Sequence, residues 1–403
     1  MAWLDWSSLF IRWFHVIAGV AWIGASFYFI WLDNNLRTPP DWKKEKGIKG
    51  DLWAVHGGGF YEVAKYQYGP DKIPETLHWF KWEAYTTWIS GFLLLGLVYY
   101  HGASAYLIDP SVMNLSPNDA IMLGLGLIFV GLVIYEAACR SPLARYPVMF
   151  GLFLLILLTL ASYLATHWFS GRGAYIHVGA LVGTIMAGNV FFKIIPAQRL
   201  MVAAVTNKTE IDPRWGAGAK LRSVHNNYLS LPLLFIMISN HYPMTYQHPQ
   251  SWLVLVAIAI VSAWIRHYFN LKHIGISRPS ILVFGAIGMI AIAGWVSHPA
   301  DVTQKETANV VQTPIAELSA EQSKVFAVIQ SHCANCHSAK PSDDIFVVAP
   351  MGVMFDTWQQ IMQRAALIHH RVVVTKDMPL LNKTGMTGEE RSVLASWYQT
   401  ELK

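Results

Sequence analysis

Long apolar runs are the feature that most restricts what this chain can fold into. A helix needs about 20 mostly apolar residues to cross the ~30 Å hydrocarbon core of a membrane. Lipid offers no water to the backbone, so a spanning segment must satisfy its own hydrogen bonds as a helix. The runs predict eight spans, near residues 9–31, 82–100, 119–138, 147–167, 175–195, 225–243, 251–270 and 279–297. The expected fold is therefore mostly α, with an eight-span transmembrane helical bundle over residues 1–297.

The distribution of Lys and Arg predicts the orientation of this bundle. The chain is 54% hydrophobic and only 14% charged, which excludes an ordinary soluble protein. Nineteen Lys and Arg residues lie in alternate connections, and Arg172 alone lies in the connections on the other side. Cytoplasmic connections carry this excess, so both termini are expected on the periplasmic side of a bacterial inner membrane. The net charge of +5 then reflects membrane orientation, and no nucleic-acid partner is expected.

A haem-attachment motif lies near the C-terminus, at Cys333, Cys336 and His337. Two thiols three positions apart can form thioethers to a porphyrin, and the histidine that follows can ligate the iron. A disulfide and a partial zinc site are the alternatives. The zinc alternative lacks a second ligand pair, because the only other cysteine is the distant Cys139. The motif therefore predicts one covalent haem c.

The surrounding sequence predicts a small all-α c-type cytochrome domain at 317–403, after a polar linker at 298–316. Capping boxes at Ser319 and Thr387 predict two helix starts. We expect Met378 to be the sixth iron ligand, because a thioether raises the reduction potential and suits electron transfer. Three other methionines compete for this role, namely Met351, Met354 and Met386.

Histidines inside the spans raise the hypothesis of a second cofactor. Ionisable side chains are costly in lipid, so they tend to be functional. His15 lies within the first span, and His177 lies at the start of the fifth. Two histidines from neighbouring helices can hold a non-covalent haem, which predicts a haem b near the outer surface. The alternative is that these histidines only cap helices at the headgroup level.

The long connection at residues 32–81 is unusual because it contains three consecutive glycines, Gly57 to Gly59. Glycines allow a close approach of the backbone to a ligand or to another element. The equally weighted alternative is a flexible connector. The segment is no phosphate-binding loop, because the required GK[ST] ending is absent.

Several segments together resemble the bacterial membrane-bound, cytochrome c-linked urate oxidases, the urate hydroxylases of the PuuD family. The segments that carry the resemblance are Arg12-Trp13-Phe14-His15, Ala21-Trp22-Ile23-Gly24, His56-Gly57-Gly58-Gly59-Phe60-Tyr61, the haem motif and Met378-Pro379-Leu380. The resemblance covers nearly the whole chain. It implies oxidation of urate to 5-hydroxyisourate, with electrons passed to the fused haem c and then to a downstream cytochrome c or terminal oxidase. It also implies that no hydrogen peroxide is released.

Urate is a planar monoanion near neutral pH, so its site needs an apolar or aromatic slot, a cation and amide partners. The candidates on the inner face are Lys65, Arg222, His225, Asn226, Asn227 and Arg266. By analogy with soluble uricases of an unrelated fold, Lys65 with Thr86 or Thr87 is a candidate base. The alternative is that the Arg and Lys residues are only positive-inside anchors.

The predicted haem c lies across the membrane from these candidates. One direct electron hop over much of a ~30 Å core is implausible, so either the substrate site lies in the outer half or a second cofactor relays electrons. Two rival functions remain open at this stage. One is a quinol-oxidising membrane cytochrome, and the other is a tethered electron-transfer protein without a substrate pocket.

Overall fold

The computed structural model describes residues 2–297, 318–343, 349–350 and 353–401, and the chain is mostly helical. Six helices are long and apolar enough to cross a membrane, as a membrane protein requires. They are Trp3–Asn35, Pro117–Arg140, Pro147–Trp168, Gly171–Thr206, Ser251–Lys272 and Ser280–Ser297. These helices coincide with the predicted spans one, three, four, five, seven and eight.

The other two predicted spans are helical but do not reach the same length and apolarity. The second is an α-helix over Trp82–Leu94 that continues as a π-helical stretch over Leu95–Tyr100. The sixth belongs to a helix over Pro213–Ser239, which begins twelve residues before the predicted start and contains Pro232. The first half of this helix is polar, so the helix as a whole is less apolar than the six long helices above. A count of eight spans therefore stays a prediction.

Helices and strands are labelled in chain order. The N-terminal part contains α1 (Ala2–Asn35), α2 (Asp41–Lys44), β1 (Ile48–His56), β2 (Gly59–Tyr66), α3 (Trp82–Leu94), α4 (Pro117–Arg140), α5 (Pro147–Trp168), α6 (Gly171–Asn189), α7 (Ile195–Thr206), α8 (Pro213–Ser239), α9 (Pro243–Tyr246), α10 (Ser251–His273) and α11 (Ser280–Ser297). The C-terminal part contains α12 (Ala320–His332), α13 (Trp358–Gln363), α14 (Ala365–Ile368) and α15 (Gly388–Glu401). Further π-helical stretches lie at Ala103–Leu107, Val190–Ile194 and His369–Val374, and short 3-10 turns lie at Pro142–Arg145 and Leu380–Asn382.

The glycine-rich connection forms a β-hairpin. Strands β1 and β2 pair antiparallel, with His56 opposite Gly59. The two turn residues, Gly57 and Gly58, have φ of +58° and +82°, the left-handed conformation that a two-residue hairpin turn requires. Two of the three glycines thus serve the turn itself, so the segment is an ordered hairpin rather than a flexible connector, and a role in ligand binding stays a prediction. The prediction from sequence missed these strands.

The two largest hydrophobic cores of the described residues lie in the N-terminal and C-terminal parts of the chain. The larger core packs α4, α5 and α6 around Ile128, Tyr135 and Tyr175. The C-terminal part has its own core, in which Ile329 of α12 meets Leu394 and Trp397 of α15. The division of the chain into a bundle, a linker and a cytochrome c domain stays a prediction. The predicted linker at 298–316 lies outside the described residues.

A contact joins the two parts at the predicted outer surface. Arg364 donates a hydrogen bond to the carboxylate of Asp109 over 2.7 Å, and the ring of His370 lies edge-on to Tyr106 at 5.3 Å. Asp109 is buried, and its carboxylate also accepts a hydrogen bond from the Ser111 hydroxyl. The C-terminal part is therefore positioned by a charged contact as well as by the chain.

Candidate functional site

Helix α8 carries four of the predicted site residues, namely Arg222, His225, Asn226 and Asn227. All four are buried, although α8 belongs to the membrane part of the chain. Adjacent positions on a helix point in different directions, so these residues separate between two neighbours. Three face α4 and α6, and Asn227 faces α10.

The first group, which we call the Arg222 cluster, links α8 to α4 and α6. Arg222 donates to Glu136 and to Asn189, both over 2.8 Å. The Tyr135 hydroxyl lies 2.8 Å from Nδ1 of His225, whose ring stacks on another aromatic ring at 4.6 Å. Asn189 also donates to the side chain of Asn226, which donates to a backbone carbonyl. Each polar side chain named here has a partner within the protein.

The second group, which we call the Arg266 cluster, links α8 to α10 and α1. Nε of Arg266 donates to the side-chain oxygen of Asn227, whose amide donates to Asn270 over 3.1 Å. The guanidinium lies 4.1 Å from the centre of the Phe27 ring on α1. Beside it, the Tyr228 hydroxyl lies 2.7 Å from Nδ1 of His267. This cluster combines a cation, two amides and an aromatic face.

Five residues of these clusters were missed from the sequence, and they are Phe27, Tyr135, Glu136, Asn189 and Asn270. A signal was available for one of them, because an acidic residue at the end of an apolar run is costly in lipid unless it has a partner. Glu136 is such a residue. Phe27 carries no such signal, since aromatic residues are common along this helix.

Lys65 and a threonine do not come together to form the predicted catalytic base. Lys65 lies on strand β2 and pairs with Asp33 at the end of α1 over 2.5 Å. The hydroxyls of Thr86 and Thr87 donate to carbonyls of their own helix, at Trp82 and Glu83. Lys65 is thus held by a carboxylate near the hairpin, and the analogy with soluble uricases finds no support in these contacts.

His15 and His177 have separate surroundings. Nδ1 of His15 lies 3.0 Å from the Ser90 hydroxyl, and its ring rests against Gly91 of α3. Nδ1 of His177 donates to a backbone carbonyl, which leaves Nε2 buried and without a hydrogen-bond partner in the described structure. That nitrogen suits an iron ligand, but a Cβ at Gly124 would stand only 2.6 Å from it.

The two histidines do not fit as axial ligands of one haem in this packing. The ring of His177 contacts Tyr100, nine positions beyond the Gly91 that contacts His15. Nine helical residues rise about 13 Å, much more than the gap between two ligands of one iron. The backbone of α4 at Gly124 also occupies the space next to Nε2 of His177. The proposed electron transfer therefore does not use a haem b.

The haem motif lies where helix α12 ends. Cys333 caps this helix, is not in a disulfide, and packs against the C-terminal core. Nδ1 of His337 lies 2.9 Å from the carbonyl of Val353 and donates to it, so Nε2 is left for a ligand bond. Burial lowers the pKa of His337, which favours the neutral ring that ligates a metal. These contacts fit the attachment of a haem c.

The candidate sixth ligands have different surroundings. Met378 is partly buried at the edge of the C-terminal core, and Arg391 of α15 donates to its backbone carbonyl over 2.8 Å. Met386 is buried within that core. Met354 follows Val353, whose carbonyl accepts the hydrogen bond from Nδ1 of His337. Met354 is thus next to the residue that binds Nδ1, whereas the iron ligand would be Nε2. Met351 lies outside the described residues.

Among the described residues, no group of three or more His, Cys, Asp or Glu side chains is arranged to hold a metal ion. The candidate features within this same part of the chain are two buried polar clusters and a haem-attachment sequence with an oriented histidine. Together they define a helical membrane protein with polar sites between its helices.

The chain belongs to the urate oxidase N-terminal family, whose model matches residues 1–297. The match covers the whole predicted bundle and both polar clusters, and it ends before the C-terminal part. No curated protein and no solved structure matches the chain. Family membership indicates an oxidoreductase that acts on urate.

Proposed function

We propose that this protein is a membrane-bound urate oxidase that passes electrons to a covalently attached haem c. The observation that carries the proposal is the combination of a family match over residues 1–297 with the Cys-x-x-Cys-His motif at residues 333–337 of the same chain. An electron-accepting group in the same polypeptide lets urate oxidation proceed without direct reduction of oxygen. No hydrogen peroxide is then produced.

The proposed reaction balances as follows. The urate monoanion and one water give 5-hydroxyisourate, one proton and two electrons. The new bond joins the water oxygen to carbon 5 of the purine ring, and urate is the species oxidised. A haem c held by Cys333, Cys336 and His337 would supply a one-electron oxidant, so each urate would require two successive electron transfers on to a downstream cytochrome c or terminal oxidase.

The C-terminal residues supply attachment and axial ligation. In this proposal the thiols of Cys333 and Cys336 would attach the porphyrin covalently, and His337 and Met378 would ligate its iron. When bound, the haem supplies a one-electron acceptor of raised potential. Val353 fixes the imidazole ring by accepting its Nδ1 proton, and Arg391 holds the Met378 backbone. Replacing Met378 by Ala should lower the reduction potential and remove the absorption band of the iron–thioether bond.

The Lys and Arg distribution supports an inner-membrane protein with both termini on the periplasmic side, where haem c is attached in bacteria. Arg364 and Asp109 would then hold the C-terminal part against the outer end of the bundle. Electrons would leave the bundle at this contact.

The direct test is anaerobic addition of urate to the purified, oxidised protein while the haem absorption is followed. We expect reduction of the haem and formation of 5-hydroxyisourate. A variant with Cys333 and Cys336 both replaced by Ser should retain no covalent haem and show no urate-driven reduction of a downstream cytochrome c. A silent wild-type protein that dithionite still reduces would contradict the proposal.

A quinol-oxidising membrane cytochrome is the second candidate, because the bundle has a groove suited to a flat apolar molecule. This groove, of about 380 Å³, lies between α3, α4 and α6. It is lined by Trp82, Tyr85, Trp88, Phe129, Phe191 and Phe192. Haem reduction by quinol but not by urate would favour this candidate. Reduction by neither, with normal reduction by a soluble donor, would favour a tethered electron-transfer protein.

A further inference from the structure

Arg266 is a buried cation without a carboxylate. Only 6% of the residue is exposed, and it lies between three helices of the membrane part. Among the described residues, it contacts the side-chain oxygen of Asn227 and the face of the Phe27 ring. No carboxylate of the described chain lies within ion-pair distance. An isolated buried charge is expensive, so such a group needs a counterion.

Arg222 shows that the chain provides a counterion elsewhere at the same depth of burial. It is 5% exposed and lies on α8, five residues before Asn227. Glu136 pairs with it over 2.8 Å, and Asn189 accepts a second hydrogen bond. The two arginines therefore have the same chemistry and burial but different partners. Since no carboxylate of the described residues neutralises Arg266, the contrast points to an anion that comes from outside the protein.

The groups around Arg266 define the chemistry of that anion. Nε is already used by Asn227, and neither terminal nitrogen donates to a described residue. These nitrogens form the edge of the guanidinium that binds planar anions through two parallel hydrogen bonds. The side-chain amide of Asn270 offers a further donor next to Asn227, and the Phe27 ring packs on the guanidinium and makes its surroundings apolar. A flat, monoanionic nitrogen heterocycle fits this set.

We propose that the Arg266 cluster binds the substrate anion, so that urate supplies the negative charge that no described residue provides. This inference rests on the proposed function. Arg266 binds the anionic edge of the ring, and Asn227 orients the guanidinium through Nε. Arg266 is fifteen residues from the first residue of α10, about 22 Å along the helix axis. Binding at this depth is tested separately from electron transfer to the haem, because stabilisation of the protein by bound urate needs no electron transfer.

Arg172 is the competing position for an anion site. Its Nε donates to the Tyr99 hydroxyl over 3.1 Å and to Asn240, and it has no carboxylate partner in the described chain either. Arg172 is half-buried, however, so water can solvate its charge and no counterion is required. Burial therefore favours Arg266 over Arg172.

The test compares Arg266→Gln with two control variants, using the full-length protein with its haem in detergent. One control, Arg214→Gln, removes an exposed inner-side arginine that pairs with Asp212. The other, Arg172→Gln, removes the competing cation. Two quantities are measured. One is the urate concentration that gives half-maximal rate of haem reduction, and the other is the rise in unfolding temperature caused by urate.

In Arg266→Gln we expect the half-maximal urate concentration to rise about 100-fold, as the loss of a charged bidentate contact implies. The rise in unfolding temperature caused by urate should disappear. Arg214→Gln and Arg172→Gln should stay within about twofold of the wild type. Normal reduction of each variant by dithionite shows that the haem domain is intact.

A second variant covers the case in which Arg266→Gln fails to fold. Asn227→Asp is nearly isosteric and places a carboxylate against Nε of Arg266, so it supplies the missing counterion internally. It should fold at least as well as the wild type and should weaken urate binding by a similar factor.

The outcomes separate the two proposals. Wild-type reduction by urate together with an unchanged response of Arg266→Gln or Asn227→Asp would overturn this inference alone. Loss of the response in Arg172→Gln with retention in Arg266→Gln would move the site to the outer half. A wild type that urate neither reduces nor stabilises would overturn the proposed function, and this inference with it.

Discussion

Arg222 and Arg266 lie on neighbouring helices at the same depth of burial, and they differ in what surrounds them. Arg222 pairs with Glu136 and Asn189, inside a network whose polar groups are satisfied by the protein. Arg266 has an amide oxygen and an aromatic ring as its recorded partners. The first arrangement is complete without a ligand. The second is complete only when an anion is present.

This difference separates structural from functional polarity in a membrane bundle. Buried ionic groups inside a membrane protein are usually paired with one another or with a ligand. An arginine with a carboxylate partner therefore stabilises the packing of its helices. An arginine without one is available to bind an anionic ligand. Removal of Arg222 should therefore lower the unfolding free energy, whereas removal of Arg266 should change it little.

The largest effect is expected for Arg222→Gln. The variant leaves the Glu136 carboxylate without its buried partner, and breaking such a pair costs about 3 kcal/mol of unfolding free energy. The exposed Arg140, which also donates to Glu136, limits the loss. Thermal unfolding in detergent measures the change. The variant with both Arg222→Gln and Glu136→Gln should recover part of it, because no charge is then left unpaired.

If Arg222→Gln unfolds at the wild-type temperature, the Arg222 cluster does not stabilise the bundle. The proposed difference between a structural Arg222 and a ligand-binding Arg266 would then not hold.

An intermediate effect is expected for Arg364→Gln at the contact between the two parts. Asp109 is buried, so loss of Arg364 should cost about 1–2 kcal/mol of docking free energy. We expect amide hydrogen exchange at Ala103–Leu107 and Ala365–Ile368 to become about tenfold faster. Arg371→Gln is the matched control, since Arg371 pairs with Asp377 within the C-terminal part.

Unchanged exchange in Arg364→Gln would show that the two parts are held together by other contacts. Equal changes in both variants would show that the effect is a loss of charge rather than a loss of docking.

The smallest effect on stability is expected for Arg266→Gln. Removing a buried charge that lacks a counterion should change the unfolding free energy in the absence of urate by less than about 1 kcal/mol, or raise it. The measurement is thermal unfolding without ligand, beside Arg222→Gln. A loss as large as that of Arg222→Gln would mean that Arg266 has a structural partner and would remove the contrast.

Much of the fold could be predicted from the sequence because membrane spans depend on local apolarity. Six predicted spans coincide with long apolar helices. Helix α8 begins at Pro213, twelve residues before the predicted start of its span, because the polar residues of its first half interrupt the apolar run. The hairpin was missed because its strands lie in a connection where glycines gave the stronger local signal.

Among the site residues, the sequence suggested Arg222, Asn227 and Arg266, but it could not separate them. Whether an arginine has a carboxylate partner depends on residues far away in the chain. Glu136 is 86 positions from Arg222 along the sequence, and Phe27 is much further from Arg266. The predicted pair of Lys65 with a threonine is not formed for a different reason, since Lys65 pairs with Asp33 and the threonine hydroxyl donates to a carbonyl of its own helix.

The sequence by itself determined the apolar helices, the direction of the charge bias and the haem-attachment motif, because each depends on residue type and short spacing. Only the tertiary structure decided which buried arginine is neutralised within the protein and which is not. The physical reason is that a counterion acts over a few ångströms in space, and those contacts are made between helices distant in the chain.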